Sequence, residues 1–298
     1  MKDEVRVSLV QFASTPLDCR GNAERMAGFV EHEAGEHGAE LVVFPELSTT
    51  GYVRSARDDA YAERLYAASE PVPGPATAVL GEAARRGGAY VVAGMSQRHP
   101  YVPEVLYNSA VLISPSGEVL GVQHKVHPCR DEKEYYVPGD EIAVFPTALG
   151  TLALNVCYDV RFPEMARVQT LAGAEIVVSL WASAVQPGKV PSDSIVSRCA
   201  TRAMENAVFF LGCNRTGADG DQRFYGRSAI AGPSGDVLAR SDDDREDAVR
   251  AVLRGADLRA QRRYLTLFRD RRPELYGRVV EPLSRPTPPV LGTNRERE

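Results

Sequence analysis

The chain has 298 residues, of which 44% are hydrophobic and 25% charged, proportions that are ordinary for a soluble globular protein. Its formal net charge is −5 and its isoelectric point is about 5.7, whereas a broad nucleic-acid-binding surface would be basic. No apolar run reaches the roughly 18 residues that a membrane span needs, and the amino terminus lacks a signal-peptide layout. We therefore expect a cytoplasmic protein that binds neither nucleic acid nor a membrane.

Hydrophobic periodicity predicts strands and helices that alternate along the chain. In the first half, the pattern predicts strands over 5–12, 41–44, 90–95, 109–113 and 119–124, and helices over 22–37, 58–68 and 76–86. Residues 125–139 are irregular. The second half has predicted strands over 141–145, 151–156, 176–180, 208–211 and 228–231, and helices over 163–171, 191–207 and 257–268.

Hairpin turns interrupt this alternation at residues 115–117 and 233–235, where Pro-Ser-Gly occurs twice. Alternating strands and helices with added hairpins indicate a layered α/β domain with mixed sheets. The sequence shows no linker that would divide it and no repeat of fixed period. We predict one domain over residues 1–280, followed by a Pro-rich, polar tail over 281–298.

The cysteines are few and widely spaced, without a Cys-x-x-Cys pair, which favours free thiols in a reducing compartment. The five are Cys19, Cys129, Cys157, Cys199 and Cys213. Two histidines, His124 and His127, lie near Cys129, but no second group with metal-ligand spacing follows. We therefore predict no metal site.

One of these cysteines follows a predicted strand directly. In TLALNVCYDVRFPEMAR, residues 151–167, Cys157 comes after an apolar run and shortly before a helix that begins near Pro163. Such a strand–turn–helix junction lifts a side chain off the sheet edge and leaves backbone N–H groups free, here that of Tyr158. The setting suits a nucleophile, although most cysteines are buried structural residues.

A nucleophilic cysteine needs a proton acceptor. All five histidines precede residue 128, which disfavours sites whose histidine follows the cysteine. Glu46 follows the strand at 41–44, and Lys125, one of only four lysines, follows the strand at 119–124. Since strand carboxyl ends collect at one edge of an α/β sheet, these groups could meet Cys157. Alternatively, Glu46 caps a loop and Lys125 is solvent-exposed.

The charges of these groups suggest how they would divide the chemistry. Glu46 would accept the thiol proton and return it to a leaving amine. Lys125 would favour the thiolate and, with the backbone N–H of Tyr158, stabilise an oxyanion.

Three sequence blocks in this order resemble the nitrilase (carbon–nitrogen hydrolase) superfamily: VVFPELSTTGY around Glu46, HKVHP around Lys125 and NVCYDVRFPEMAR around Cys157. The resemblance extends from VRVSLVQF to LFRDRRPELY, nearly the whole chain. It implies a Glu-Lys-Cys triad, a four-layer α-β-β-α sandwich without a cofactor, and a homodimer or larger homo-oligomer. It also implies a second glutamate after the lysine, for which we prefer Glu132 to Glu134 by its distance from Pro-Gly-Asp.

Around Cys157 the sequence is most similar to the omega-amidase and deaminated-glutathione-amidase branch, whose members hydrolyse small carboxylate-bearing amides. The chain departs from that pattern over residues 182–190, which lack the usual aromatic residue. We predict Tyr52 and Trp181 as substrate-binding residues, with core packing as the alternative. Arg198 and Arg202 share a helix face, and they could contact a substrate carboxylate or form surface or dimer salt bridges.

From these features we expect a thiol amidohydrolase that cleaves a small amide through a Cys157 thioester and releases ammonia. An N-carbamoyl amide hydrolase and a nitrilase are alternatives within the same class, and acyl transfer to an amine would use the same residues. A non-catalytic dimeric scaffold of the same fold is the alternative from another class.

Overall fold

The computed structural model describes residues 1–52, 58–185 and 193–282. Its fourteen strands within these ranges are β1 Glu4–Val10, β2 Leu41–Val43, β3 Tyr90–Arg98, β4 Leu106–Ile113, β5 Val119–His124, β6 Val144–Thr147, β7 Gly150–Val156, β8 Ile176–Trp181, β9 Phe209–Asn214, β10 Thr216–Asp219, β11 Gln222–Tyr225, β12 Ala229–Ala231, β13 Val237–Arg240 and β14 Ala248–Arg254. The α-helices in the same ranges are α1 Cys19–His37, α2 Asp59–Ala68, α3 Pro75–Gly87, α4 Pro163–Leu171, α5 Ser194–Asn206, α6 Gly255–Tyr264 and α7 Gly277–Val280.

Capping residues in the sequence determine where helices α1 and α3 begin or end. The carboxylate of Asp18 accepts a hydrogen bond from the Gly21 N–H at the start of α1, and Gly38, with φ of 63°, ends that helix. At the start of α3, Pro75 occupies the first turn, where its missing N–H leaves no hydrogen bond unmade. These residues fix where both helices begin or end on the outer face of the first sheet.

The first sheet has the strand order β14-β1-β2-β3-β4-β5. Strands β1, β2 and β3 are parallel, and β14, β4 and β5 pair antiparallel with their neighbours. Because two antiparallel steps separate β3 from β5, strands β2 and β5 run in the same direction. Their carboxyl ends therefore lie at the same edge of this sheet.

The second sheet has the order β13-β12-β9-β8-β7-β6 and repeats this arrangement. Strands β7, β8 and β9 are parallel, while β6, β12 and β13 pair antiparallel. Strands β10 and β11 form a separate hairpin. Both sheets are mixed, as the combination of crossover helices and hairpins in the sequence predicts.

The two sheets face each other across one apolar core. Val7 and Val43 from the first sheet and Leu154, Leu180 and Leu211 from the second are fully or almost fully buried in it. Burial of such side chains contributes roughly 1.5–3 kcal/mol each, the main force that holds sheet on sheet.

Helices cover the outer faces. Helices α1 and α3 pack with residues such as Phe44 and Val91 on the first sheet, and α4 and α5 pack with Val177 and Phe210 on the second. The layers are therefore helix, sheet, sheet and helix, which confirms the predicted α-β-β-α sandwich.

The chain divides into two compact units, Met1–Leu265 and Thr266–Glu298. In the second unit, which is described as far as residue 282, a short 3₁₀ helix spans Pro273–Leu275 and precedes α7. The predicted boundary between residues 280 and 281 remains a prediction. Among the described residues, no helix has the length and apolar character needed to cross a membrane.

Candidate active site

Glu46 lies in a buried loop just after β2, and its side chain is 0% exposed. The loop passes close to β3, and a Cβ atom on Gly94 would lie only 2.3 Å from the Pro45 carbonyl oxygen and 2.7 Å from Glu46 Cα. Because position 94 is a glycine, the loop can pack directly against the sheet. Leu47, with φ of 49°, turns the chain immediately after the glutamate.

Lys125, directly after β5, lies between two carboxylates, those of Glu46 and Glu132. Its Nζ donates to Glu46 Oε1 at 2.6 Å and lies 2.8 and 2.7 Å from the two oxygens of Glu132. Glu132 is in a 3₁₀ helix, Arg130–Glu134, and the Cys129 N–H donates to its Oε2. Of the two glutamates considered from the sequence, the structure places Glu132 beside Lys125, while Glu134 is exposed.

Asn108 supports both charged partners from β4. Its Nδ2 donates to Glu46 Oε1 at 2.8 Å, and its backbone carbonyl accepts the Lys125 N–H at 2.8 Å. Glu46 Oε1 thus has two donors, whereas Glu46 Oε2 has no hydrogen-bond partner among the described residues. One oxygen is held in place and the other is free to accept a proton.

Cys157 begins a 3₁₀ helix, Cys157–Arg161, at the end of β7, and it is half-buried. Its φ of 47° is in the left-handed region, which a residue with a Cβ adopts only under constraint. Tyr158 is in the first turn of that helix, where N–H groups have no acceptor within the helix. The structure thus puts the predicted nucleophile and oxyanion donor in one sharp turn.

Asp159 ties this turn to the loop that carries Lys125. Its Oδ2 accepts the Val156 N–H at 3.1 Å, and its Oδ1 accepts the His127 N–H at 2.9 Å. The same Oδ1 is 2.8 Å from His127 Nδ1. A fully buried carboxylate thereby connects the residue before Cys157 with a residue two positions after Lys125.

The protonation states of the cluster follow from burial and from neighbouring charge. Burial disfavours the charge on Lys125, but Glu46, Cys157 and Glu132 outweigh that effect and hold the pKa of Lys125 well above its usual value. Burial and, after it, the charge of Glu46 raise the pKa of the Cys157 thiol well above its usual value, although Lys125 and the Ala182 backbone lower it. Burial also raises the pKa of Glu46, against the effect of Lys125. Before substrate binds, Lys125 is therefore positively charged and the Cys157 thiol is protonated.

Of the two aromatic residues predicted to bind substrate, one contacts the charged cluster and the other is buried in the core. The Tyr52 hydroxyl donates to Glu132 Oε1, and its ring contacts Phe224 edge-on. Trp181 is 1% exposed, and its indole N–H donates to the Ser179 hydroxyl within the core behind Cys157. Tyr52 thus belongs to the charged cluster, whereas the position of Trp181 favours the core-packing alternative.

The two arginines on α5 also differ. Arg202 donates from Nε to the Val160 carbonyl at 3.0 Å and pairs through Nη1 with Glu205 at 2.9 Å. Arg198 is half-buried and donates from Nη1 to the Ser194 hydroxyl at 3.3 Å. Arg202 therefore holds the helix against the Cys157 turn, and Arg198 makes no ion pair within the described residues.

One group within the described residues has the spacing of metal ligands: His32, Glu33 and His37. Glu33, however, binds Arg250 through both carboxylate oxygens at 2.7 Å and accepts from the Ser8 hydroxyl. A guanidinium already occupies that carboxylate, so the group does not suit a cation. Three residues weighed from the sequence are not brought together as ligands in the described chain: His124, His127 and Cys129.

Comparisons with known proteins point to one family. The carbon–nitrogen hydrolase family profile matches residues 6–263. A nitrilase from Pyrococcus abyssi is 32% identical over 278 residues, which are 92% of this chain and 100% of the relative. An N-carbamoylputrescine amidase from Arabidopsis thaliana is 31% identical over 297 residues, with 92% of this chain and 94% of the relative covered.

A solved structure of an amidase from Nesterenkonia sp. AN1 has a TM-score of 0.74 and 30% identity to this chain. The match covers 91% of this chain and 95% of that one. In that structure, which is of a glutamate-to-glutamine mutant, the acetamide moiety of fluoroacetamide is added covalently at the active-site cysteine. Family profile, relatives and fold agree over almost the same length. The chain is therefore an enzyme of the carbon–nitrogen hydrolase family, within the nitrilase superfamily.

Proposed function

We propose that this enzyme is a thiol amidohydrolase, which converts a small amide into a carboxylic acid and ammonia. The observation that carries the proposal is the hydrogen-bonded cluster of Glu46, Lys125 and Glu132, whose charges act on Cys157 at the end of β7. Together with Cys157, this cluster provides a base (Glu46), a cation (Lys125) and a nucleophile (Cys157), each just after the carboxyl end of a strand.

In the first half of the reaction, Glu46 Oε2 takes the thiol proton as the Cys157 sulphur attacks the amide carbonyl carbon. The C–S bond forms, and the carbonyl π electrons move onto oxygen. The Lys125 ammonium and the Tyr158 N–H stabilise this oxyanion. Glu46 then gives the proton to the amide nitrogen, the C–N bond breaks, and ammonia leaves a thioester on Cys157.

In the second half, Glu46 takes a proton from water, and the water oxygen attacks the thioester carbonyl carbon. When the tetrahedral intermediate collapses, the C–S bond breaks and the carboxylic acid forms. Glu46 returns the proton to the sulphur. Free enzyme is regenerated without any oxidant, reductant or other co-reactant.

The charge of the cluster favours proton transfer within it. Transfer of the thiol proton to Glu46 leaves the net charge of the four groups Glu46, Lys125, Glu132 and Cys157 unchanged. Loss of that proton to solvent would instead add one negative charge to a buried site. An internal base therefore avoids a large electrostatic cost.

Covalent addition at the active-site cysteine of the Nesterenkonia amidase supports the nucleophilic role of Cys157. The names of the Pyrococcus and Arabidopsis relatives point to nitriles and N-carbamoyl amines as the alternative substrate classes. Cys157, Glu46 and Lys125 could act on each of these substrate classes, because each reaction needs a sulphur nucleophile, a proton shuttle and a cation.

The test is ammonia release from small aliphatic amides, omega-amides of dicarboxylates, deaminated glutathione, N-carbamoyl amines and one nitrile. We expect turnover of amides by the wild type and by Cys19→Ala, which removes a thiol remote from the cluster, and no turnover by Cys157→Ala. Intact-mass measurement during turnover should show an acyl adduct on the wild type. Ammonia release by Cys157→Ala at the wild-type rate would refute the mechanism, and nitrile turnover without amide turnover would make the enzyme a nitrilase.

A further inference from the structure

The peptide group between Trp181 and Ala182 lies at the end of β8, which has β9 on one side and β7 on the other. Its carbonyl oxygen, that of Trp181, accepts the N–H of Arg215, directly after β9, at 3.0 Å. The peptide group is trans, so its N–H points away from its C=O. The Ala182 N–H is therefore directed to the opposite side, where Cys157 follows β7.

The pairing of β7 with β8 brings the sulphur within reach of this N–H. Val156 is the partner of Leu180 in the parallel register, so the next residue, Cys157, lies beside the end of β8. Burial raises the pKa of the Cys157 thiol, and a hydrogen bond with the backbone of Ala182 is among the effects that lower it. The Ala182 N–H thus serves as a donor to the nucleophile.

Asn214, the last residue of β9, holds the chain just beyond this donor. Its side chain is 0% exposed, and its Oδ1 accepts the Ser183 N–H at 2.8 Å. Its Nδ2 donates to the Ser183 carbonyl at 3.4 Å and to the Gly226 carbonyl at 2.7 Å. The side-chain amide therefore pairs with Ser183 much as a neighbouring strand would, and the bond to Gly226 fixes the amide itself.

A further contact holds the same segment two residues later. The Val185 N–H donates to the Arg223 carbonyl of β11 at 2.8 Å. The backbone is thus held at residues 181, 183 and 185, which leaves the intervening peptide of Ala182 little freedom to turn. Of these three contacts, only the one from Asn214 is made by a side chain, so it can be removed by substitution.

We propose that Asn214 is a positioning residue, which holds the Ala182 N–H on the Cys157 sulphur and so stabilises negative charge on that atom during catalysis. The proposal rests on the thiol amidohydrolase function, in which charge develops on sulphur twice. It does so when Glu46 takes the thiol proton, and again when the C–S bond of the tetrahedral intermediate breaks. A fixed donor favours both steps because it is in place before the charge appears.

Replacing Asn214 by an apolar residue changes no charge near the sulphur. The ionisable groups that face Cys157 come from several elements, and they are Tyr52, Glu46, Lys125, Glu132 and Arg198. All of them remain in the variant. A change in thiol ionisation can therefore be assigned to the Ala182 donor.

The test is the rate at which iodoacetamide alkylates Cys157, followed by peptide mass between about pH 7 and 9.5, because the thiolate is the reacting form. Asn214→Leu, of similar volume, should lower this rate about 3- to 10-fold at each pH below the midpoint of thiol ionisation and raise the midpoint by about one unit. For the best amide substrate, kcat should fall about 10-fold with little change in KM.

Asn206→Leu is the matched control. Asn206 is also 0% exposed, and its Nδ2 donates to the Arg202 carbonyl within α5 at 3.0 Å. This variant should lose stability but keep the wild-type alkylation rate and kcat. Asn214→Ala, which adds no bulk, replaces the leucine variant if that protein does not fold.

Hydrogen exchange at the Ser183 amide reports whether the contact with Asn214 is lost. Faster exchange there without slower alkylation would overturn the proposal, as would equal losses of alkylation rate in the Asn214 and Asn206 variants. If the wild type releases ammonia from no amide, the proposed function fails, while the alkylation rates still decide whether Asn214 positions the donor.

Discussion

At the scale of single residues, the two oxygens of Glu46 have different surroundings. Oε1 accepts from Lys125 and Asn108, and Oε2 has no described partner. Fixing one oxygen orients the carboxylate, so that the other can exchange a proton with the sulphur, the leaving nitrogen or water. In this mechanism the base is useful only while it is ionised, which makes its pKa a determinant of rate.

Replacing Asn108 should therefore change how activity depends on pH. Burial raises the pKa of Glu46, and the hydrogen bond from Asn108 lowers it. Asn108→Leu removes that bond, so the pKa of Glu46 should rise further and more of the base should be protonated at a given acidic pH. We expect the acid limb of kcat/KM to move to higher pH, with partial recovery above it. Profiles of wild type and variant measured from about pH 4 to 9 would show this. An unshifted limb would mean that Asn108 acts only in packing.

At the scale of structural elements, the site depends on close approach between the Glu46 loop and β3. Gly94 makes this possible, since any Cβ at that position would overlap the Pro45 carbonyl oxygen. The loop has its own constraint in the left-handed backbone of Leu47. A side chain at position 94 would therefore have to push the loop away from the strand.

Gly94→Ala should displace the loop and reduce both stability and activity. Overpacking of this kind costs typically about 1–3 kcal/mol in the free energy of unfolding. We expect kcat to fall by more than the stability loss explains, because Glu46 moves away from Lys125. The matched control is Gly35→Ala in α1, where a Cβ meets nothing within 4 Å and helix propensity rises. Denaturant titration and kcat for both variants provide the test, and a fully active Gly94→Ala enzyme would contradict it.

At the scale of the whole molecule, the charged cluster and the nucleophile come from different sheets. Glu46 and Lys125 follow strands of the first sheet, and Cys157 follows β7 in the second. The apolar layer between the sheets therefore sets the distance between base and sulphur. The quaternary structure, which the family resemblance implies is a homodimer or larger, remains a prediction that light scattering can decide.

Weakening the layer between the sheets should lower the stability of the protein. Leu154 is on β7, fully buried in that layer. Leu154→Ala should lower the free energy of unfolding by about 2–5 kcal/mol, because a cavity remains where the side chain was. Val237→Ala on β13, where the side chain is 43% exposed, should change it by about 0.5 kcal/mol or less. Guanidinium unfolding curves would compare them, and equal midpoints would mean that the two sheets are not coupled through this layer.

The sequence predicted those parts of the site that depend on local pattern. Glu46, Lys125 and Cys157 each follow a short apolar run, and the structure places each of them just after a strand. Asn108 was missed because it is inside β4, whose predicted start was residue 109. Its side chain reaches Glu46 in the loop after β2, although β3 lies between β2 and β4, and no local pattern records such a contact.

Other differences concern long-range pairing and element ends. Strand β14 was not predicted, since its edge position depends on pairing with β1, more than 230 residues earlier. The β10–β11 hairpin was also missed. The helix predicted over 257–268 ends at Tyr264, where the backbone of Leu265 becomes extended. Predicted helix 191–207 begins partly outside the described residues and ends at Asn206, because Ala207 has a φ of 45°.

The left-handed backbone at Cys157 also affects which residue would be favoured at this position if catalysis were no longer selected. A residue with a Cβ in that conformation is disfavoured by roughly 1–2 kcal/mol relative to glycine. Glycine at position 157 should therefore give an inactive protein that melts at a higher temperature than the enzyme. Relief of this strain would therefore cost the protein the thiol on which the proposed mechanism depends.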